Sequence, residues 1–72
     1  MKIRTIGFAE KLLGFKEKKI TFEGKKKLSE IIDFTDIPLN LIAIIINEKA
    51  ALKDHVVQNN DDVIITQIVA GG

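Results

Sequence analysis

The sequence predicts an α+β fold in which a mixed sheet of four to five strands wraps around one main helix. Three observations predict this class: two strand-like stretches before residue 24, one amphipathic segment near residue 30, and two runs rich in isoleucine after residue 40. A chain of 72 residues, 46% of them hydrophobic, can build one compact core but not two. We therefore expect residues 1–72 to form a single domain.

The first third of the chain is predicted to form a hairpin. Its first strand runs from about Lys2 to Phe8, and residues 9–13 then favour one helical turn. Gly14 should end that turn, because glycine is the usual residue just past a helix C-terminus. The second strand, from about Lys18 to Glu23, is indicated by alternating apolar and polar residues, so the hairpin has a long connection.

The main helix is predicted over about residues 27–34. Leu28, Ile31 and Ile32 recur at helical spacing and form one apolar stripe that can pack on a sheet. The lysines before this stripe are unfavourable at a helix N-terminus, because they oppose the helix dipole. Pro38 cannot continue a helix and disfavours helical geometry in the residue before it, so the helix should end ahead of it.

The second half of the chain predicts further strands. The apolar run over residues 41–46 is typical of a central strand that is buried on both faces or nearly so, and residues 47–49 favour a tight turn. Residues 50–58 are weakly patterned and suggest a short edge strand, and the polar stretch 59–62 favours a turn. The last strand, over residues 63–69, is apolar enough for the sheet centre. This order is the β-grasp, or ubiquitin-like, arrangement.

The composition excludes several classes of function. The chain has no cysteine, which excludes disulfides, zinc–thiolate sites and thiol nucleophiles. It has no apolar run of about 18 residues and no signal-peptide pattern, so we expect a soluble, cytoplasmic protein without a membrane partner. No Ser-His-Asp set, phosphate-binding glycine loop or metal-ligand cluster is visible, and we expect no metal site.

Charge is unevenly distributed, although the net charge is only +1. Residues 1–27 carry nine basic and three acidic side chains, a net charge of +6, whereas residues 28–72 have a net charge of −5. A lysine-rich half is a feature of nucleic-acid-binding proteins. The chain, however, has no Trp or Tyr to stack on bases and no recognisable binding motif, so we interpret the lysines as a solvated face and expect no nucleic-acid partner.

Two further polar features are interpreted as structural. His55 is the only histidine and lies on an acid-rich, irregular segment without the set of partners that a metal site needs, so we expect a surface residue that binds no metal. Asp61 and Asp62 form a pair of adjacent carboxylates within a polar stretch. Such a pair belongs to a turn more often than to a catalytic acid–base dyad.

The most informative feature is the terminal sequence Val69-Ala70-Gly71-Gly72. A glycine has no Cβ, so a strand that ends in two glycines can enter a narrow channel, and its carboxylate can itself be the reacting group. Glycine-rich tails are also common at domain ends without any function. The functional interpretation depends on the predicted fold, because the last strand leads directly into residues 69–72 as an exposed C-terminal tail.

Nearly the whole chain resembles the small ubiquitin-like sulfur carriers of cofactor biosynthesis. Residues 7–14 are similar to the strand and turn of molybdopterin synthase small subunits, and residues 45–49 resemble the family's strand with an Asn-containing turn. Residues 52–65 resemble the approach to the last strand, with longer spacing, and residues 69–72 match the terminal motif fully. Residues 66–68 depart from the prolines of the molybdopterin subunits and fit the thiamin thiazole carriers at least as well.

The resemblance implies a carrier that is not an enzyme and binds no cofactor itself, with Gly72 as the reacting residue. A partner of the ubiquitin-activating type would use ATP to adenylate the Gly72 carboxylate. A sulfur-donating enzyme would then convert it into a thiocarboxylate, which would deliver sulfur in a synthase large subunit. Residues 69–71 would fit the partner's channel. An apolar patch on the sheet, with Ile42 or Ile44 as candidates, would dock the activating enzyme.

Alternatives remain at the level of the pathway and of the function. The N-terminal turn and the chain length favour molybdopterin (molybdenum or tungsten cofactor) biosynthesis, whereas residues 65–68 favour thiamin thiazole synthesis. A protein modifier that is joined through Gly72 to lysines of other proteins would begin with the same adenylation. An interaction domain with an incidental diglycine is a third class, and deletion of Gly72 distinguishes it, since such a domain would keep its function.

Overall fold

The computed structural model describes residues 1–68 of the 72-residue chain. Its three longest strands have five or six residues each and comprise Lys2–Ile6, Ile42–Ile46 and Asp62–Gln67. The elements of residues 1–68 are, in chain order, β1 (Lys2–Ile6), α1 (Phe8–Leu13), β2 (Glu17–Lys19), β3 (Lys25–Lys27), α2 (Leu28–Ile31), a 3₁₀ turn (Leu39–Leu41), β4 (Ile42–Ile46), β5 (Lys49–Ala51), β6 (Val56–Gln58) and β7 (Asp62–Gln67).

Residues 1–68 form a five-stranded sheet with the order β2-β1-β7-β4-β5 and a two-stranded sheet of β3 and β6. The first and last strands, β1 and β7, run parallel with Ile3 opposite Val63, and the other neighbouring pairs of the large sheet are antiparallel. β7 is therefore the central strand, as its apolar composition predicts. The mixed sheet with its helices confirms the α+β class and the β-grasp arrangement.

The core lies on one face of the five-stranded sheet. Along β1, β4 and β7, buried residues alternate with less buried ones, which is the pattern of strands that are covered on one side. Leu28, Phe34, Val57 and Ala9 belong to the same buried apolar cluster and come from outside the sheet. The buried residues of these three strands are Ile3, Thr5, Ile42, Ile44, Ile46, Val63 and Ile65.

The helical turn predicted after the first strand is confirmed. α1 begins at Phe8, one residue earlier than predicted, and Gly7 separates it from β1 with φ 68° and ψ −138°. Gly14 ends α1 in the left-handed conformation, and its N–H donates to the Glu10 carbonyl at 2.9 Å. Glycine is favoured at both positions because a Cβ is strained at these positive φ values.

The second strand is shorter than the predicted span of residues 18–23. β2 ends at Lys19, and residues 20–24 contain no strand. Ile20 and Phe22 are half-buried and pack against the core. Their alternation therefore reflects the packing of an irregular segment rather than strand pairing.

β3 is a strand that the sequence does not predict. It pairs antiparallel with β6, where Lys26 lies opposite Val57. The three lysines of β3 are exposed, whereas Val57 is fully buried, so the apolar anchor of this pair comes from β6. The segment 50–58, predicted as one short edge strand, accordingly contains the end of the edge strand β5 and the separate strand β6.

The tight turn after β4 is confirmed. Asn47 and Glu48 have φ values of 49° and 71°, and positive φ at both central residues is typical of a two-residue hairpin turn. Lys49, predicted within the turn, instead begins β5. β4 begins one residue later than predicted, because Leu41 belongs to a 3₁₀ turn in which its N–H donates to the Pro38 carbonyl at 2.9 Å.

The main helix predicted over residues 27–34 is much shorter in the structure. α2 comprises Leu28–Ile31, and Ile32 is already extended, with φ −114° and ψ 127°. The Asp33 carboxylate accepts a hydrogen bond from the Thr35 N–H at 2.9 Å, and such a local side-chain bond competes with helix continuation. None of the helices in residues 1–68 is long and apolar enough to cross a membrane.

Candidate functional site

The predicted site residues Val69, Ala70, Gly71 and Gly72 lie outside the described residues. The structure describes the place from which they continue. β7 comprises Asp62–Gln67, and Ile68 is the last described residue. Up to that residue, the strand predicted over residues 63–69 agrees with β7 to within one residue at each end. We define the tail root as Gln67 and Ile68, the last two described residues.

Two hydrogen bonds hold the tail root to loops on both sides. The Ile68 N–H donates to the Leu41 carbonyl in the 3₁₀ turn at 2.8 Å. The Gln67 side chain points the other way across the sheet, where its Oε1 accepts from the Phe8 N–H at 2.9 Å. Phe8 is the first residue of α1, whose leading N–H groups have no partner within the helix. The end of the last strand is thus tied to the segments that follow β1 and precede β4.

Gly7 makes the close approach of Gln67 to α1 possible. A Cβ built on Gly7 would lie 3.2 Å from Gln67 Oε1, which is tighter than ordinary van der Waals contact. The φ of 68° at Gly7 is also unfavourable for a residue with a side chain. Both the space and the backbone angle at this corner therefore favour glycine.

The tail root is surrounded by exposed apolar side chains. Ile6 pairs with Thr66 at the end of β1, and Leu39 and Leu41 belong to the 3₁₀ turn bonded to Ile68. The segments 6–8, 39–41 and 66–68 contain no charged residue, although 29% of the whole chain is charged. The apolar rim is defined as Ile6, Phe8, Leu39, Leu41 and Ile68, which are each 39–54% exposed. Exposed apolar side chains of this kind are candidates for a protein contact.

The predicted docking patch around Ile42 or Ile44 is corrected by the structure. Both residues point into the core and are only 5% and 6% exposed. Strand residues alternate between faces, so the outer face of β4 carries Ala43 and Ile45, both half-buried. Ile64 of β7 lies opposite Ile45 on this outer face. The hydrophobic pattern of residues 41–46 does not show which residues face the core, because every residue of this run is apolar.

The polar residues set aside in the sequence have structural contacts. His55 is exposed, as predicted, and its carbonyl accepts from the Leu28 N–H at 2.9 Å. Asp61 accepts from the Asn47 side-chain amide at 2.9 Å and from the Gln58 N–H at 2.8 Å. These bonds confirm that Asp61 belongs to a turn. Within residues 1–68, no three His, Asp or Glu side chains are grouped closely enough to hold a metal ion.

Asp33 is a carboxyl group whose titration departs from the ordinary value. Hydrogen bonds from the Thr35 hydroxyl and then from the Thr35 N–H lower the pKa of Asp33. The group is fully solvent-exposed in the turn after α2, and its hydrogen bonds with Thr35 stabilise that turn.

A groove of about 320 Å³ lies along β4 and β5. Its lining is mostly apolar and includes Leu39, Ile44 and Leu52, and its charged residues are Lys53 and Asp54. Asp54 also accepts a hydrogen bond from the Ser29 hydroxyl at 3.2 Å.

The fold places the chain among the ubiquitin-like β-grasp proteins. The model of the ThiS family matches residues 3–72, and the chain belongs to this family. Proteins of the ThiS family are small sulfur carriers that work with activating enzymes and synthases, so membership supports a sulfur carrier role. No match was found among curated proteins.

The sequence predicts a tail from its terminal motif but does not predict the contacts of Gln67. Residues 66–68 differ from the molybdopterin subunits only in lacking their prolines, which points to no partner for Gln67. Its partner Phe8 is 59 positions away, and the two meet because β1 and β7 are parallel neighbours. The glycine before Phe8 was the available signal, since a glycine between a strand and a helical turn often marks a close approach.

Proposed function

We propose that this protein carries sulfur on the carboxyl group of Gly72. The observation that carries the proposal is the ThiS family match, which extends through the terminal Gly71-Gly72. The proposal requires that Gly72 be the C-terminal residue of the mature protein, and that residues 69–72 be an exposed tail. It assigns the chemistry to partner enzymes, with this chain supplying the reacting carboxylate.

Activation begins with the carboxylate because it is a poor electrophile. A Gly72 carboxylate oxygen attacks the α-phosphorus of ATP in an adenylating partner of the ubiquitin-activating type, and pyrophosphate leaves. Hydrosulfide sulfur attacks the acyl carbon next, and AMP leaves; a persulfide would instead give an acyl disulfide, which a second thiol cleaves by forming a disulfide with the sulfur donor. The product is a thiocarboxylate at Gly72. Gly71 keeps the approach free of side chains, and Val69 and Ala70 contact the partner's channel as an extended segment.

The apolar rim supports a partner that surrounds the tail. An enzyme that takes residues 69–72 into a channel must meet the surface from which they continue. That surface exposes Ile6, Phe8 and Leu41, and the segments 6–8 and 39–41 to which they belong contain no charged residue. Burial of such side chains is worth about 25 cal/mol per Å² of apolar area removed from water. The rim is therefore suited to both the activating enzyme and the synthase.

The first candidate pathway is molybdopterin biosynthesis, for the molybdenum or tungsten cofactor. It is favoured by the resemblance of residues 7–14 to molybdopterin synthase small subunits. In this pathway the thiocarboxylate would enter a larger synthase subunit and donate its sulfur there.

The second candidate is thiamin thiazole synthesis, and the tail root favours it. The Ile68 N–H donates a hydrogen bond to Leu41, and a proline at that position has no N–H to donate. The prolines common in molybdopterin subunits before the terminal motif are thus replaced by residues that fit the thiazole carriers. Transfer of sulfur from the purified thiocarboxylate to a molybdopterin synthase or to a thiazole synthase separates the two pathways.

Intact-mass measurement of the protein, isolated from its host without reductant, tests the carrier function. We expect a fraction heavier by the difference between one sulfur and one oxygen atom, mapped to Gly72, and a larger fraction after incubation with ATP, sulfide and the host's activating enzyme. A variant without Gly72 should show neither and keep its thermal midpoint. An unmodified carboxylate under all of these conditions would exclude the carrier function, and isopeptide adducts without a thiocarboxylate would indicate a protein modifier.

A further inference from the structure

The tail root is held from two sides, which is unusual for the end of a chain. Terminal residues are commonly frayed unless they are tied to the body. Here a main-chain bond joins Ile68 to Leu41 at 2.8 Å, and a side-chain bond joins Gln67 to Phe8 at 2.9 Å. The two partners lie in different segments, so together they fix both the position of the strand end and its direction.

We infer that Gln67 is a positioning residue that aims the reactive tail into the partner's active site. The inference rests on the proposed function of Gly72. Gln67 lies five positions before Gly72 in the sequence, so the role assigned to it is to position the tail rather than to take part in the reaction. It acts by holding the C-terminal end of β7 against the N-terminus of α1, where Gly7 leaves room for the Gln67 side-chain amide.

The chemistry of the contact identifies the atom that matters. Gln67 Oε1 accepts the hydrogen bond, and the donor is the Phe8 main-chain N–H. A carboxylate at this position can accept the same bond and is favoured near the first turn of a helix. Gln67→Glu should therefore preserve the contact, whereas Gln67→Ala should remove it.

The anchor at Ile68 also sets a length. Four residues follow it, and a fully extended chain spans at most about 3.6 Å per residue, so the Gly72 carboxyl group reaches no more than about 14 Å beyond Ile68. The carboxylate must therefore meet the α-phosphorus of ATP within about 14 Å of Ile68 when the two proteins are in contact. Deletion of Val69 would shorten this reach by about 3.3 Å, which is more than a reacting geometry tolerates.

The test is pyrophosphate release from ATP by the host's activating enzyme, with the full chain as substrate and with complex affinity measured separately. We expect Gln67→Ala to lower the rate at saturation by about tenfold or more, because small misplacements of a reacting group are costly. Its affinity should stay within about twofold, since the apolar rim remains. Gln67→Glu should restore most of the rate. Gln58→Ala, a glutamine change at the end of β6, is the matched control and should leave both quantities unchanged.

The outcomes separate this inference from the proposed function. If the wild-type chain reacts and Gln67→Ala reacts at the same saturating rate, the positioning role is wrong while the carrier function stands. A loss in Gln67→Ala that follows only its thermal midpoint, and disappears on cooling, would also overturn it in favour of a purely structural role. If the Val69 deletion reacts as the wild type does, the length of the tail does not limit the reaction and that part of the inference is wrong. A wild-type chain that is never adenylated would overturn the proposed function together with this inference.

Discussion

At the scale of single residues, Gly7 combines two requirements for glycine. Its φ of 68° with ψ of −138° lies in a region that is almost restricted to glycine, and a Cβ would approach Gln67 Oε1 to 3.2 Å. We expect Gly7→Ala to lower the free energy of unfolding by about 1–3 kcal/mol. Urea unfolding followed by circular dichroism measures this change.

Gly14→Ala is the matched control for Gly7. Gly14 also has a positive φ, 81°, but a Cβ there would meet no atom within 4 Å. It should therefore cost only the left-handed backbone, about 1 kcal/mol. Equal losses for the two variants would show that the contact with Gln67 adds nothing at this corner.

Asp33 gives a prediction about pH. The bonds from Thr35 lower the pKa of Asp33 in the folded chain, so its stabilising effect is present above the ordinary carboxyl pKa and is lost as the pH falls through the lowered value. Thr35→Val removes the hydroxyl but keeps the N–H, and it should raise the pKa of Asp33 toward its ordinary value. Thr35→Ser should leave it low. An NMR titration of the Asp33 carboxyl carbon measures the shift, and an unchanged pKa in Thr35→Val would contradict the role of the hydroxyl.

At the scale of elements, α2 shows why local patterns were insufficient. The spacing of Leu28, Ile31 and Ile32 predicted a helix, and a helix begins at Leu28. Its length depends on contacts that the pattern does not contain. The N–H groups of Leu28 and Ser29 donate to the carbonyls of His55 and Lys53, both at 2.9 Å, so a distant loop fixes the start of the helix.

Glu30 provides a testable cap for this helix. One of its carboxylate oxygens accepts from the Lys27 N–H at 3.1 Å, as in the reciprocal half of a capping box. Glu30→Ala should lower the free energy of unfolding by about 0.5–1 kcal/mol, and Glu30→Gln, which retains the acceptor, should lower it less. Urea midpoints measured at neutral pH compare the two, and equal losses would assign the effect to charge rather than to capping.

The strands show the same limit. β1, β4 and β7 were predictable because each contains enough β-branched residues to form a strand by itself. β3 was not, because Lys25–Lys27 becomes a strand only through its pairing with β6. The tail stays a prediction, because residues 69–72 lie outside the described residues. The contacts of the tail root could not be predicted, because the bond between Gln67 and Phe8 exists only once β1 and β7 lie side by side.

At the scale of the whole molecule, β7 has two roles. It is the centre of the sheet, with Ile65 fully buried between β1 and β4, and it leads directly into the tail root. Ile65→Val removes one methyl group from the core and should cost about 0.5–1.5 kcal/mol. Ile64→Val, one position along and on the half-buried outer face, is the matched control and should cost less. Urea unfolding measures both, and a larger loss at Ile64 would mean that the outer face is the better-packed one.

A comparison of Ile65→Val with Gln67→Ala separates an effect on stability from an effect on the position of the tail. A domain of 72 residues has a free energy of unfolding of about 4–11 kcal/mol, so a loss of about 1 kcal/mol leaves nearly all molecules folded at 25 °C. We therefore expect Ile65→Val to lower the thermal midpoint while its adenylation rate at 25 °C stays at the wild-type value. Gln67→Ala should show the opposite balance, because its side chain is exposed and its contact directs the tail. If Ile65→Val slowed the reaction as strongly as Gln67→Ala, the rate would depend on the rigidity of the whole central strand rather than on the bond at its end.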